Sequence, residues 1–182
     1  MLPFLIAAGV LVLLVLWFIG IYNGLVRARN QVKNAWSQID VQLKRRHDLI
    51  PNVVETVKGY ARHESETFEK VTQARRIAVE ARGPAQAGAA EAQLGAAVAG
   101  LLAIAERYPE LKANTNFLSL QEELASTENR IGFARQAYND AATRYNSQRE
   151  TFPNKIVAGS FEKADMFEIT DAAERAVPQV KF

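Results

Sequence analysis

An uninterrupted apolar stretch at the N-terminus constrains this chain more than any other feature. The residues from Leu2 to Tyr22 contain no charged side chain and read LPFLIAAGVLVLLVLWFIGIY. Folded as an α-helix, the stretch would extend about 31 Å at ~1.5 Å per residue, which matches the ~30 Å hydrocarbon core of a bilayer. Trp17 and Tyr22 lie toward its C-terminal end, where aromatic side chains favour the membrane interface. The stretch predicts a transmembrane anchor over residues 1–23.

A cleaved signal peptide and a buried core helix are the two alternatives to an anchor. A signal peptide needs a basic region before its apolar run and a small-residue cleavage site after it. Neither feature flanks the stretch, so the sequence favours an uncleaved anchor. No Lys or Arg precedes the stretch, whereas Arg27, Arg29 and Lys33 follow it closely. The positive-inside rule then predicts a single-pass protein with its N-terminus outside and its body in the cytoplasm, and with these three cations near the lipid headgroups.

The composition of the remaining chain excludes several classes of protein. All 22 Lys and Arg and all 20 Asp and Glu follow the stretch, and their near balance leaves a net charge of only +2. That charge is too small for the electrostatic footprint of a nucleic-acid-binding protein. The chain has no Cys, which excludes disulfides, Cys-ligated metal sites and a Cys nucleophile.

Apolar residues at steps of three and four predict helix over most of the body. No helix breaker lies between Gly24 and Asp48, so the anchor helix should continue directly into the first segment of the body. A turn is predicted between Asp48 and Pro51, because proline lacks an N–H and disfavours helix before it; a kinked continuous helix is the alternative. The remaining segments are predicted as a second helix to Gly83–Pro84, a loop over 82–88, a third helix to about Arg107, and a fourth helix from Asn116 to Thr151 capped by Thr115 or Asn116.

These segments predict an all-α protein, in which an N-terminal transmembrane helix continues into a long antiparallel helical bundle. The predicted parts are the anchor at 1–23, the bundle at 24–152, and a tail at 153–182 that packs on the bundle or at an oligomer interface. Heptad spacing in the second and fourth segments favours seams like those of a coiled coil. The residues predicted to fill the bundle core are Val32, Trp36, Ile39, Leu43, Val54, Val57, Phe68, Val71, Leu120, Leu124, Ile131, Tyr138 and Tyr145.

The sequence shows no complete motif for catalysis or metal binding. His63 and Glu64 begin a zinc-protease motif, but Thr67 occupies the position of its second histidine. No phosphate-binding loop, nucleophile–base motif or paired Glu-x-x-His pattern appears, so the sequence predicts no catalytic residue, no metal and no cofactor. His47 and His63 are interpreted as solvated. The basic run from Lys44 to Arg46 is interpreted in the same way, with contact to anionic lipid as the alternative.

Two Tyr–Asn pairs, Tyr138–Asn139 and Tyr145–Asn146, repeat at heptad spacing in the fourth helix. We expect the rings to fill the bundle seam, with each hydroxyl reaching a partner or water. The asparagines would set the register of the bundle where they lie near its core. A ligand-binding ladder is the alternative.

Three stretches of the chain resemble the LemA family. They read NGLVRARNQVKNAWSQIDVQLKRRHDLIPNVVETVKGYARHESETFEKVTQAR, YPELKANTNFLSLQEELASTENRIGFARQAYNDAATRYN and FPNKIVAGSFEKADMFE. The resemblance implies a bacterial membrane protein with an N-terminal anchor in the inner membrane, an N-out orientation and a long antiparallel helical bundle. It implies no established catalytic residue and no cofactor, and some relatives are associated with magnetosome membranes. Glu162 and Met166 depart from the family, which more often has Gly and an aromatic residue there.

Two functions fit these features. The first is a membrane-anchored, non-enzymatic scaffold that assembles with copies of itself in the bilayer. The alternative is an adaptor or sensor that binds another membrane protein, such as a protease or a signalling protein. For the adaptor, the small residues Ala92, Gly95, Ala96 and Ala99 share a helical face that would admit a partner helix, unless they pack inside the bundle. An enzyme is a distant third.

Overall fold

The computed structural model describes residues 1–169, and within them the chain is all-α with no β-strand. The predicted tail beyond residue 169 lies outside the described residues. Two short 3₁₀ helices, Asn154–Ile156 and Ala158–Ser160, follow the last α-helix. The α-helices in the described residues are α1 (Leu2–Tyr60), α2 (Ser65–Glu80), α3 (Gly83–Ala105), α4 (Pro109–Lys112) and α5 (Thr115–Glu150).

Helix α1 is 59 residues long and extends about 88 Å at ~1.5 Å per residue. Residues 2–20 contact little else in the chain, and their apolar side chains are exposed. One face of the same helix is buried from Leu25 onward. The N-terminal part of α1 is therefore a candidate membrane span, continuous with the bundle. Helix α3 is also long and apolar enough to pass this test, but 44% of its most apolar window is buried inside the bundle.

The predicted turn between Asp48 and Pro51 is wrong, because α1 continues through Pro51 as one helix. In a regular helix the N–H of residue 51 would bond the carbonyl of residue 47, and proline removes that donor. Here the Arg75 side chain replaces it, since its Nε donates to the His47 carbonyl oxygen at 2.6 Å. A contact between residues 28 positions apart thus compensates for a local helix-breaking signal.

The chain instead breaks at residues 61–64, where the sequence predicted continuous helix. The heptad pattern did not reveal this break, because Ala61, the first residue of the break, and Phe68, in the next helix, are both buried in the same core. The loop predicted at 82–88 is also wrong. Helix α3 already begins at Gly83, whose φ of +72° lies in the left-handed region that favours glycine, with Pro84 in its first turn.

The start of α5 differs from the prediction by one residue at its cap. The capping side chain is that of Asn114, which accepts a hydrogen bond from the Phe117 N–H at 3.1 Å. Asn114 also donates to the Tyr60 hydroxyl at 2.9 Å, which ties the start of α5 to the end of α1. Helix α5 therefore begins beside the membrane-distal end of α1 and returns antiparallel to it.

The bundle contains two apolar cores, stacked along α1. The membrane-distal core lies where the α2–α3 hairpin packs against α1 and the start of α5. The membrane-proximal core joins α1 and α5 with the segment that follows α5. The structure buries every residue predicted for the core except Trp36 and Leu120, which are half-buried. The Trp36 ring packs edge-on against Tyr138 and Phe167, with centroid distances of 5.5 and 5.7 Å.

We expect Arg75→Met to lower the free energy of unfolding by about 2 kcal/mol, because it leaves the His47 carbonyl without a charged donor. In a Pro51→Ala background the new backbone N–H at position 51 can bond that carbonyl, so the same change should cost less than half as much. Urea unfolding of the four proteins of this double-mutant cycle in detergent micelles measures the coupling. Arg76→Met, at the exposed neighbouring arginine, is the control and should be nearly neutral. Equal costs in both backgrounds would contradict the compensation.

Candidate functional sites: a buried ionic layer and a tail clamp

A layer of charged side chains separates the two apolar cores, with Arg46, His47 and Glu91 buried and Glu128 partly exposed at its edge. Both oxygens of the Glu91 carboxylate on α3 are engaged by side chains of α1. Arg46 donates through one terminal guanidinium nitrogen to Oε2 at 2.6 Å, and His47 Nε2 lies 2.6 Å from Oε1. Arg46 Nε lies 2.7 Å from Glu128 Oε1 on α5, as an ion pair without hydrogen-bond alignment. The layer therefore connects α1 with both α3 and α5.

The solvated interpretation of Arg46 and His47 is wrong, since they are only 4% and 9% exposed. Lys44 is exposed as predicted, and Arg45 is an exposed residue 4.0 Å from Glu123. The helical periodicity of α1 could have indicated that Arg46 and His47 are buried. Positions 43, 46, 47 and 50 share the inward face of α1, so two charged residues continue an apolar row. Charge alone suggested solvent, because the partner Glu91 is more than 40 residues away in sequence.

The electrostatics of the layer follow from its burial. Burial raises the pKa of Glu128, the Arg46 guanidinium opposes that rise, and the Glu91 carboxylate adds to it. An ionised carboxylate only accepts hydrogen bonds, so His47 Nε2 is the donor when it pairs with ionised Glu91 at this 2.6 Å distance. The described residues contain no group of three or more His, Asp or Glu side chains arranged to hold a metal ion. Arg46 and Glu91 are too enclosed to meet a substrate, so the arrangement suits fixing the register of three helices.

We expect Glu91→Gln to lower the free energy of unfolding by about 3 kcal/mol, because it leaves Arg46 buried without its main carboxylate. Glu123→Gln removes an exposed charge beside Arg45 and should cost less than about 0.5 kcal/mol. Chemical unfolding in detergent, followed by circular dichroism, compares the two variants. Similar small effects from both would contradict a buried, mutually dependent layer.

The repeated Tyr–Asn pairs of α5 form a clamp on the segment that follows this helix. The Tyr138 hydroxyl donates to the Asp165 carbonyl at 2.6 Å, and the Tyr145 hydroxyl donates to the Glu162 carbonyl at 2.7 Å. The asparagine amides each make two bonds to the backbone of one residue. Asn139 pairs with Phe167 at 3.1 and 3.0 Å.

Asn146 repeats this arrangement one heptad along α5. It donates to the Ala164 carbonyl and accepts from the Ala164 N–H, both at 2.9 Å. The two amides thus replace the neighbouring strand that an extended segment would otherwise need for its backbone groups. Seven residues on a helix rise about 10.5 Å, close to the reach of three extended residues, which explains why residues 164 and 167 match the heptad spacing. The asparagines therefore fix the position of the tail on α5.

The clamp presses the tail into the membrane-proximal core. Phe161 and Phe167 are buried there, together with the two tyrosine rings. The segment also crosses α3 at Gly88, where a Cβ atom would collide with the carbonyl oxygen of Glu168 and lie 3.0 Å from its carbon. Gly88 is therefore required by close approach of the tail. The Tyr–Asn pairs, for which a bound ligand was the alternative, are thus occupied by the backbone of residues 162–167 of the same chain.

Burial, with a smaller effect of the Asp165 charge, raises the pKa of Tyr138 to about 12, from 10.0 when unperturbed. The folded chain then keeps a proton that the unfolded chain loses above pH 10, so stability falls as the pH rises from 10 to 12. We expect this loss to reach about 2–3 kcal/mol. Unfolding titrations across this range should show a shallower decline for Tyr138→Phe. Tyr60→Phe, at the opposite end of the bundle, is the control; an unchanged decline in Tyr138→Phe would contradict the assignment.

The residues predicted at the membrane interface lie near the end of the bundle that adjoins the apolar part of α1. Trp17 is exposed, and Tyr22 packs edge-on against Phe161 at 5.3 Å between centroids. The Arg29 guanidinium lies 5.3 Å from the same Phe161 ring, in a cation–π contact. Arg27 and Lys33 are exposed. Arg29 and Lys33 line a cleft of about 550 Å³, which also includes Trp36 and Lys163.

Comparison with known proteins places this architecture in a family. The model of the LemA family matches residues 35–182, which is most of the chain. The chain belongs to the LemA family. It is 31% identical to Protein LemA of Metamycoplasma hominis over 156 residues, covering 84% of this chain and 68% of that relative. It is 25% identical to the magnetosome protein MamQ of Magnetospirillum gryphiswaldense, over 87% of this chain and 70% of the relative.

A similar match extends to the magnetosome protein MamQ 2 of Paramagnetospirillum magneticum, with 25% identity over 184 residues. None of these names denotes an enzyme. The exposed apolar end of α1 and the MamQ relatives are consistent with a membrane protein. The family and the fold thus agree with a membrane-associated helical protein.

Proposed function

We propose that this LemA-family protein is a membrane-anchored, non-enzymatic scaffold that assembles with copies of itself. The continuity of α1 carries the proposal. The helix extends from the apolar end through the whole length of the bundle without a linker. In this proposal residues 1–23 form the anchor and 24–152 the bundle, and the described part of the tail, residues 153–169, packs on the bundle.

A continuous helix suits lateral assembly better than it suits reaching for distant partners. A flexible linker lets a tethered domain sample many positions, whereas a helix transmits the tilt and height of the anchor directly. All copies would then present the same faces at the same distance from the bilayer. This equivalence is what a closed symmetric assembly requires, because each interface must recur in every copy. The MamQ relatives, which are named as magnetosome proteins, add support for a role in organising a membrane.

The outer face of α3 is the surface we propose for contact between copies. Glu91 is the single charged residue of α3, and it points into the buried ionic layer. The exposed face therefore has no charge along a helix about 34 Å long, and its small residues permit close approach. Ala92 and Gly95 are half-buried in the bundle, and the rest of the predicted small-residue face is outward. From residue 89 onward, the exposed positions of α3 are Ala89, Gln93, Ala96, Ala99, Gly100 and Ala103.

The orientation in the membrane belongs to the same proposal. The Lys and Arg asymmetry around the span, set by Arg27, Arg29 and Lys33, favours an N-terminus outside and a bundle in the cytoplasm of a bacterial inner membrane. These three cations would then lie within reach of anionic headgroups, and the bilayer would be the first partner of the chain. The small net charge of +2 gives no basis for a nucleic-acid partner.

Mass photometry of the full chain in mild detergent tests the assembly. We expect the wild type to form a defined oligomer, and Ala96→Arg to shift it to monomers because it places an unpaired charge in the interface. Ala137→Arg, at an exposed alanine of α5, is the matched control and should leave the oligomer intact. A wild-type protein that is monomeric at every concentration would contradict the scaffold.

The adaptor alternative uses the same face of α3 and predicts a different product. A photocrosslinker at residue 96 in cells should yield crosslinks between copies of this chain if the scaffold is correct. Crosslinks to one other membrane protein, with none between copies, would favour the adaptor. The exposed position of Ala96 makes both products accessible to the same probe.

A further inference from the structure

Two large apolar side chains are exposed in the segment that follows α5. Phe152 is 76% exposed and Ile156 is 68% exposed, although the proximal core lies close by and buries Ala158 and Phe161. Exposed apolar side chains that cluster in one short segment mark a candidate contact with a partner or a membrane. Their position relative to the anchor identifies that partner.

The antiparallel pairing of α1 and α5 places this segment at the height of the membrane interface. Trp36 of α1 contacts Tyr138 of α5, with ring centroids 5.5 Å apart. Phe152 follows Tyr138 by fourteen residues, and Tyr22 precedes Trp36 by the same number. In an antiparallel helix pair these two residues are therefore about level. Tyr22 is the last residue of the charge-free stretch.

A surface depression shared with α1 also places this segment at the level of the predicted membrane interface. Asn154, within the segment, and Gln148, just before it, line a shallow depression together with Trp17, Gly20 and Ile21 of α1. The segment thus lies beside the part of the anchor where aromatic residues favour the interface. Residues 151–161 contain no Asp or Glu, and their one charged residue is Lys155, between the two exposed apolar side chains. Lysine beside aromatic and aliphatic residues is typical of segments that lie in the headgroup region.

We propose that the segment from Thr151 to Val157 inserts Phe152 and Ile156 into the interfacial region of the bilayer beside the anchor. This proposal rests on the membrane anchor of the proposed function. The chain would then hold the membrane at two points, a spanning helix and a shallow loop. Two points of contact restrict the tilt of the bundle and its rotation about the anchor, which one helix alone leaves free. The restriction would orient the outer face of α3 in the same way in every copy.

The chain has no Cys, so a single introduced cysteine can carry one environment-sensitive fluorophore. We suggest labelling Phe152→Cys and Ile156→Cys in full-length protein reconstituted into vesicles of equal parts phosphatidylcholine and phosphatidylglycerol. Phe133→Cys is the matched control, because Phe133 is also 76% exposed but lies about 28 Å farther along α5 from the anchor. Leu13→Cys reports on the anchor itself. The readouts are the blue shift of the emission and its quenching by lipids that carry a nitroxide near the headgroup.

We expect labels at 152 and 156 to be blue-shifted and quenched by the nitroxide lipids, and the label at 133 to resemble one in water. Phe152→Ser should reduce the quenching of a label at 156, whereas Phe133→Ser should not. Water-like emission at 152 and 156 with a lipid-embedded label at 13 overturns the inserted loop and leaves the anchor standing. A blue shift without lipid quenching also overturns it, because a second copy would then cover the segment. A label at 13 in water overturns the anchor itself.

Discussion

The packing of the whole bundle relies on α1 being one continuous helix. The two parts of this helix have different surroundings. Its first part exposes only apolar side chains, and its second part buries one face in a bundle. Every other α-helix packs against that second part, directly or through a neighbour. The helix continues past Pro51 because Arg75 supplies the hydrogen bond that the proline cannot. A side chain from α2 therefore helps to keep α1 continuous, and the other helices pack on α1.

Polar contacts then fix one arrangement of the other helices against α1. The two apolar cores on either side of the ionic layer tolerate small shifts of helix register, because burial of apolar surface is not directional. The ionic layer does not tolerate them, since Glu91 must reach both Arg46 and His47 while Arg46 also reaches Glu128. The Tyr–Asn clamp acts in the same way on the tail, where hydrogen bonds to the backbone fix position without depending on the tail's side chains. Directional bonds thus specify the bundle that apolar burial stabilises.

Prediction from sequence succeeded where the signal was long and periodic. The apolar stretch predicted the exposed end of α1, and the pattern from Phe117 to Tyr145 predicted α5 to within one residue of its ends. It failed where two signals competed. The sequence predicted a turn at Pro51 and a continuous helix through residues 61–64. Both predictions were wrong, because they used only residues that are neighbours in sequence. Gly83 and Pro84, which were predicted to end the second helix, instead begin the next one, since α2 already ends at Glu80.

The candidate sites show the same division. The Tyr–Asn repeat is visible in the sequence, and its spacing of seven already implies one face of a helix. Its partner is the backbone of residues 162–167, which has no sequence signature for such a role. Arg46 and Glu91 are 45 positions apart, and only packing of α3 against α1 turns two surface-type residues into a buried pair.

The apolar stretch, the helical class and most of the buried faces could therefore be predicted from the sequence alone. These properties depend on composition and on periods of a few residues. The tertiary structure decided where α1 ends, which charges lie inside, what the clamp holds, and that Phe152 lies level with the end of the span. These follow from contacts between distant residues, whose geometry exists only once the helices have packed.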